Sequence, residues 1–264
     1  TLGNLDKNLL IPFLEKVDRF NVKSVYHRKS FEEFMGKSIP DEKFNIIVNG
    51  VRVEEFKKKE DGWVRNPYRF CYCSSYDRGL EIILTKIWPH IYRMNNMAEL
   101  HVYYGMEHLD NMSKERIRLL LGQEGVMDHG RQPLETIIKE NYMSTFHLYP
   151  NDSIAEIDCI SIKESLVTGC IPIISNFGVF KDRHGLQYNW DPNNDELCSY
   201  IANDIIDKMY NLITNTQVLE KMHEVLEKNE SVLVHCHQGI SRSCTIVASY
   251  LIKYKNMTPG EAVQ

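Results

Sequence analysis

The chain has no run of Lys or Arg that suggests a nucleic-acid or membrane footprint, no apolar stretch near the roughly 20 residues that cross a bilayer, no internal repeat and no low-complexity tract. The first absence, with a formal net charge of −5, removes the electrostatic footprint of a nucleic-acid or membrane-surface binder. Neither partner is therefore expected. The second absence excludes a spanning helix, and the first residues do not read as a signal peptide. Loop-staple cysteine spacing is also missing. The seven cysteines are odd in number and fall mostly inside apolar segments, which favours reduced thiols and a cytoplasmic setting. Cys71-Tyr72-Cys73 is a strand alternation rather than a zinc pair, and no metal site is expected.

What is present suits a globular α/β chain. With 43% apolar residues in 264, there is material for one large or two modest domains. The chain stops at Gln264 within a helical pattern, an ending expected of a piece of a longer protein. Residues 25–28 could end a strand, and 44–50 reads as a strand closed by the Asn49-Gly50 turn. Residues 68–74 read as a buried strand followed by a helix to 93, with Asp77 as its candidate N-cap. From there the pattern alternates, with strands at 98–105, 125–130 and 145–149 and helices at 113–122 and 133–142. Helices at 194–212 and 216–228, a strand at 231–235 and a helix at 241–254 complete the reading. Such alternation predicts a Rossmann-like doubly wound parallel sheet, whose ligands bind at the carboxyl ends of the strands.

The stretch 156–178 concentrates three signals. Ile157, Ile160, Glu164 and Val167 recur at helical spacing, Gly169 is a natural stop, and 170–174 suits a buried parallel strand. Glu156 and Glu164 are eight residues apart, about two helical turns, which would set both carboxylates on one side, ~12 Å apart along the axis. A sugar nucleotide spans that distance.

Asn49-Gly50, the segments 75–81 and 99–105, Gly130 and the Glu-x7-Glu stretch followed by Gly-Cys-Ile-Pro-Ile occur in an order that resembles the donor-binding half of GT-B glycosyltransferases of the retaining, group-one type. The resemblance covers residues 40–214 and implies the C-terminal half of a GT-B fold, with 1–39 a remnant of the acceptor domain or a linker. It implies a nucleotide-sugar donor as substrate and no cofactor; the acceptor stays unnamed. It places Glu156 at the transferred sugar, Glu164 at the ribose hydroxyls and Arg78 at the diphosphate, with backbone N–H groups near Gly79 and Gly178 completing an anion cradle. These roles match the chemistry of the side chains. A carboxylate accepts hydroxyl hydrogen bonds and a guanidinium forks onto phosphate. The second basic residue that the family carries about five positions before Arg78 is absent, and Cys73 or Ser74 stands there. Because the acceptor half is almost wholly absent, the segment is expected to bind donor without completing transfer alone.

A second constellation occupies 231–243, Ser-Val-Leu-Val-His-Cys-His-Gln-Gly-Ile-Ser-Arg-Ser, with cysteine and arginine at C-x5-R spacing. A strand, loop and helix start of this composition converges N–H groups on a phosphate-sized anion and lowers the thiol pKa of Cys236. Adjacent residues His235, Cys236 and His237 point in different directions and do not make a metal set. The segment 215–264 resembles the dual-specificity and tyrosine phosphatases. The resemblance implies Cys236 as the nucleophile, Arg242 as the phosphate clamp, Ser243 as the group that helps the thiolate leave, and a phosphorylated protein as substrate. The family's general acid is an aspartate about 30 residues upstream, where only Asp204 and Asp207 stand. Two alternatives to the joint reading follow: a phosphatase whose upstream part is passive, or an incomplete phosphatase loop that binds phosphate without hydrolysis.

Overall fold

A computed structural model of the chain describes residues 11–56, 60, 62–151, 153, 155–232, 234, 242–255, 257 and 262. The chain divides into two compact units, Thr1–Asn203 and Asp204–Gln264.

The first unit opens with a small parallel pair, β1 (Phe20–Val22) and β2 (Phe44–Ile46), which joins residues on either side of position 40. Between them runs the helix Val25–Met35, where a strand end was expected at 25–28. Ser24 explains the difference: its hydroxyl caps the helix by accepting from the His27 N–H at 2.9 Å. Leu14, Met35 and Ile39, with Phe20, Phe31, Phe34 and Phe44 against them, form a core of their own.

The main sheet has six strands: β3 (Asn66–Cys73), β4 (Glu99–Tyr103), β5 (Val126–Asp128), β6 (Ser144–Tyr149), β7 (Ile171–Ser175) and β8 (Leu186–Tyr188). All pairings are parallel and the spatial order is β5-β4-β3-β6-β7-β8. The expected doubly wound sheet is present. Its order reverses direction between β3 and β6, the place where such sheets open a crevice. Helices on both faces bury the central strands, so their sequences read as nearly continuous apolar runs rather than alternations. Phe70, Tyr72, Leu100, Val102, Phe146, Leu148, Ile173 and Ile174 are all buried. Phe70 stacks on Phe146 at 5.2 Å and meets the edge of Trp88 at 5.9 Å. Each such side chain contributes about 1.5–3 kcal/mol by leaving water.

The helix after β3 is not regular. It passes from Leu80–Ile82 through a π-helical turn, Ile83–Ile87, into Trp88–Met94. Pro89 has no N–H to donate and its ring crowds the preceding turn, and the wider turn relieves both problems. Asp77 does not cap this helix. Gly79 stands in the cap position, and the Asp77 carboxylate accepts from the Ser75 hydroxyl instead.

The two helices expected at 194–212 and 216–228 are one, Asp195–Glu227. The polar run Thr214-Asn215-Thr216 reads as a breaker, yet it holds neither Gly nor Pro, and the Thr216 hydroxyl donates back to Leu212 O at 2.9 Å without ending the helix. In the second unit Leu219, Met222 and Tyr250 are buried among Leu226, Val232, Val234, Ile246, Leu251 and Tyr254. The helix Arg242–Lys255 replaces the expected 241–254, and none of the described residues 231, 232 and 234 lies in a strand.

Candidate functional site

The carboxyl end of β3 leads into Ser74-Ser75-Tyr76-Asp77-Arg78-Gly79. This turn is fixed from below by the buried Tyr72, whose hydroxyl lies 2.6 Å from Ser75 O and 3.0 Å from Arg78 O. Gly79 has φ +93°, and a Cβ there would stand 2.6 Å from Pro150 O. Only glycine lets the β3 turn close against the chain leaving β6, and this contact draws the two sides of the switch point together. Tyr149, at the end of β6, accepts from Ser74 Oγ at 3.2 Å and from Asn151 Nδ2 at 3.0 Å.

Seven residues beyond Tyr149 comes Glu156. It does not lie on the helix with Glu164: the helix is Ile160–Thr168, and Cys159, at φ +50°, breaks the helical path before it. The expectation of two carboxylates on two turns of one helix is thus corrected. Glu156 belongs to the turn before the helix, and its Oε1 accepts from the N–H of Cys159 at 2.8 Å and of Asp158 at 3.3 Å. Its Oε2 is 2.9 Å from Arg78 Nη1, so the cation from β3 and the carboxylate after β6 meet across the switch point.

Glu164 sits one turn into the helix and is half-buried; its carboxylate makes no hydrogen bond or ion pair among the described residues. Burial holds its carboxyl above the ordinary value. The next residue anchors the helix. His147 Nδ1 is 2.5 Å from Ser165 Oγ, and His147 Nε2 accepts from the Cys73 N–H at 3.4 Å. Burial pushes the His147 imidazolium pKa down, so a neutral ring pins the Glu164 helix to β6 and β3. In the sequence His147 reads only as a strand-end histidine without a role, as does His129. His129 stacks on His101 at 5.0 Å and on Tyr103 at 4.5 Å, and burial beside Arg69 pushes His101 down to about 4.

Gly178 lies beyond the carboxyl end of β7, at φ +55°, with a would-be Cβ 3.2 Å from the Tyr26 ring. Arg78, Gly79, Glu156 and Gly178 thus all follow the carboxyl ends of β3, β6 and β7. Asp158 is the residue that sequence reading missed. Fully buried, it pairs with Lys163 Nζ at 2.6 Å and Arg183 Nη2 at 2.6 Å and accepts from the Asn49 N–H at 2.6 Å. It ties the Asn49-Gly50 loop to the turn that carries Glu156. Its position two residues after a glutamate in a polar turn is the one signal that could have drawn notice.

Cys159 differs from a nucleophilic cysteine, since burial and the neighbouring Glu156 charge push its thiol up to about 11. Among the described residues no group of three His, Cys, Asp or Glu side chains is arranged to hold a metal ion. None of the described helices is long and apolar enough to cross a membrane.

In the second unit, Cys236 and the loop around it lie outside the described residues, and Arg242 and Ser243 form the first turn of Arg242–Lys255. Asp204 and Asp207 are both on the long helix; Asp204 pairs with Lys208 at 2.5 Å and Asp207 is exposed.

Residues 171–264 match the family model described as dual specificity phosphatase, catalytic domain. Dual specificity protein phosphatase 14 of Mus musculus is 44% identical over 45 residues, 17% of this chain and 23% of that protein. Tyrosine-protein phosphatase yvh1 of Schizosaccharomyces pombe is 58% identical over 38 residues, 14% of this chain and 12% of that protein. Among solved structures, Anabaena HepE in complex with UDP-glucose superposes with a TM-score of 0.61 at 13% identity, covering 80% of this chain and 61% of HepE. A glycosyltransferase of Rickettsia africae gives 0.61 at 15% identity over 80% of this chain and 58% of its own. The pneumococcal O-GlcNAc transferase GtfA, solved with UDP and GlcNAc, gives 0.54 at 13% over 80% and 44%. The chain therefore carries the α/β fold seen in these glycosyltransferase structures, together with a segment similar to the dual specificity phosphatase catalytic domain. It spans at most 61% of these structures and under a quarter of these two phosphatases.

Proposed function

We propose that the chain joins a donor-binding module of a nucleotide-sugar-dependent retaining glycosyltransferase to a cysteine-dependent phosphatase-like segment, acting in the cytoplasm. The observation that carries the first half is the meeting of Arg78 and Glu156 at the switch point of the six-stranded sheet. A cation for a diphosphate and a carboxylate for sugar hydroxyls stand where α/β sheets take their ligands. HepE and GtfA, which share the fold, were solved with UDP-glucose and with UDP and GlcNAc. In the proposed reaction Arg78 and the backbone N–H groups near Gly79 and Gly178 hold the diphosphate. Glu164, free of partners among the described residues, accepts from the ribose hydroxyls, and Glu156 faces the sugar. The bond from the anomeric carbon to the diphosphate oxygen breaks with its electron pair staying on that oxygen, the acceptor oxygen bonds on the same face, and the acceptor's hydroxyl proton passes to the departing diphosphate. Calorimetry with UDP-glucose tests the site: Glu164→Ala should weaken binding by roughly tenfold or more, from two lost hydroxyl hydrogen bonds to a charged group. Unchanged affinity would remove the donor-site assignment.

For the second half, the Cys236 thiolate attacks phosphorus, the S–P bond forms as the P–O bond breaks, Arg242 holds the phosphoryl oxygens, and water later releases phosphate with help from Ser243. A phosphorylated protein is the proposed substrate. The placement of Asp204 and Asp207 on one helix, with Asp204 already paired to Lys208, favours a second reading in which the loop captures phosphate monoesters without turnover. Saturable phosphotyrosine-peptide binding without hydrolysis, lost in Arg242→Ala, would establish that reading.

A further inference from the structure

The two groups assigned to opposite ends of the donor's scissile bond are bonded to each other. Arg78 Nη1 lies 2.9 Å from Glu156 Oε2, and Glu156 Oε1 is already taken by the N–H groups of Cys159 and Asp158. Each Glu156 oxygen thus already accepts from a protein donor, and a sugar hydroxyl would have to share Oε2 with the Arg78 guanidinium. The partners are held unequally. The Arg78 side chain is 48% exposed and can swing away, whereas Glu156 is 11% exposed and fastened to its turn.

We infer that this ion pair is a lock that makes sugar recognition depend on the nucleoside diphosphate. The inference rests on the donor-site reading above. A diphosphate offers the guanidinium fork more oxygens and more charge than one carboxylate does, so it draws Arg78 off Glu156. Oε2 is then free to accept from the sugar. Glu156 keeps its orientation after Arg78 leaves, because the Cys159 and Asp158 N–H groups still hold Oε1. The arrangement is a specificity device. A free sugar meets an occupied carboxylate, and a nucleoside diphosphate sugar opens the site with the part of itself that will become the leaving group.

The lock predicts that removing the Glu156 charge strengthens diphosphate binding. The chain is titrated by calorimetry with UDP, GDP, ADP and glucose as wild type, Glu156→Gln, Arg78→Met and the double variant. Wild type is expected to bind at least one diphosphate and not glucose. Glu156→Gln, whose amide oxygen still accepts from the turn, is expected to bind that diphosphate about three- to tenfold tighter, the range a partly exposed ion pair and one repulsive charge allow. Arg78→Met should bind it roughly tenfold more weakly, and the gain from Glu156→Gln should vanish in that background. No gain from Glu156→Gln, or the same gain without Arg78, overturns the lock and leaves the donor site standing. Failure of wild type and Glu156→Gln to bind any of the three diphosphates overturns the donor-site reading and the lock with it. Should Glu156→Gln not fold by circular dichroism, Glu156→Asp takes its place. It withdraws the carboxylate from Arg78 by one methylene while the charge remains, so the expected gain is smaller, about two- to threefold, with the same overturning result.

Discussion

The two units gather their anion-binding groups in opposite ways. In Thr1–Asn203 the proposed cation comes from the turn after β3, the carboxylate from the turn after β6 and the glycine from beyond β7, so the site is assembled across a sheet from residues up to 100 positions apart, 78 to 178. In Asp204–Gln264 the proposed nucleophile and clamp are six positions apart in one continuous motif, Cys236 to Arg242. The first kind of site depends on the sheet, and the solved structures named above share that fold at 13–15% identity. In the proposed reading the second must keep its local sequence, because a loop of this motif cradles its ligand with its own backbone. The two phosphatases named above match short segments of the chain at 44–58% identity.

The contrast can be broken most severely at the thiol. Cys236→Ser should lower hydrolysis of an aryl phosphate by about a thousandfold or more, since no alternative nucleophile replaces it. Equal turnover by the two proteins would show that the local motif is not the source of any activity.

The assembled site should be most sensitive at its hidden tie. Asp158→Ala leaves Lys163 and Arg183 without their shared carboxylate and releases the Asn49 N–H. A loss of about 3–5 kcal/mol in urea unfolding is expected. A loss below about 1 kcal/mol would mean that the three contacts contribute no more than an exposed pair. Next comes backbone closure. Gly79→Ala forces a Cβ against the Pro150 carbonyl at φ +93° and should destabilise by about 2–3 kcal/mol. Gly178→Ala meets only a movable Tyr26 ring and should lose about 1 kcal/mol. A reversal of that order in thermal unfolding would contradict the described closure of β3 on β6.

The smallest effect concerns Glu164. Burial raises its folded pKa above the ordinary carboxyl value, so the folded state binds the proton more tightly than the unfolded state does. The resulting stability is present below about pH 4.5 and is lost as pH rises through the raised folded value. At pH 7 the wild type buries an unpartnered charge. Glu164→Gln should therefore raise Tm by about 1–2 °C at pH 7 and by nothing at pH 4. A rise of equal size at both pH values would assign the gain to packing instead of charge.

Much of this fold was legible beforehand. The apolar runs around Phe70, Val102, Leu148 and Ile173 announce strands buried on both faces, and the helices between them announce parallel pairing. The elements misread were those set by single local bonds. Ser24 converts 25–28 into a helix start, and Cys159 at positive φ takes Glu156 off its helix. An uninterrupted hydrogen-bond ladder carries Asp195–Glu227 through a polar run. At the site, Arg78, Glu156 and Glu164 could be picked out one by one, whereas Asp158, His147 and Tyr72 act only through partners far away in sequence.

Residue order alone determined the periodicities, hence the doubly wound class, and the C-x5-R loop, hence the phosphatase resemblance: both depend on neighbours within a few positions. Tertiary structure alone decided that Arg78 grips Glu156, that Gly79 lies against Pro150, and that Asp158 binds Lys163, Arg183 and the Asn49 loop. These contacts arise where the sheet order reverses, and a chain position carries no mark of which distant strand end the fold will bring beside it.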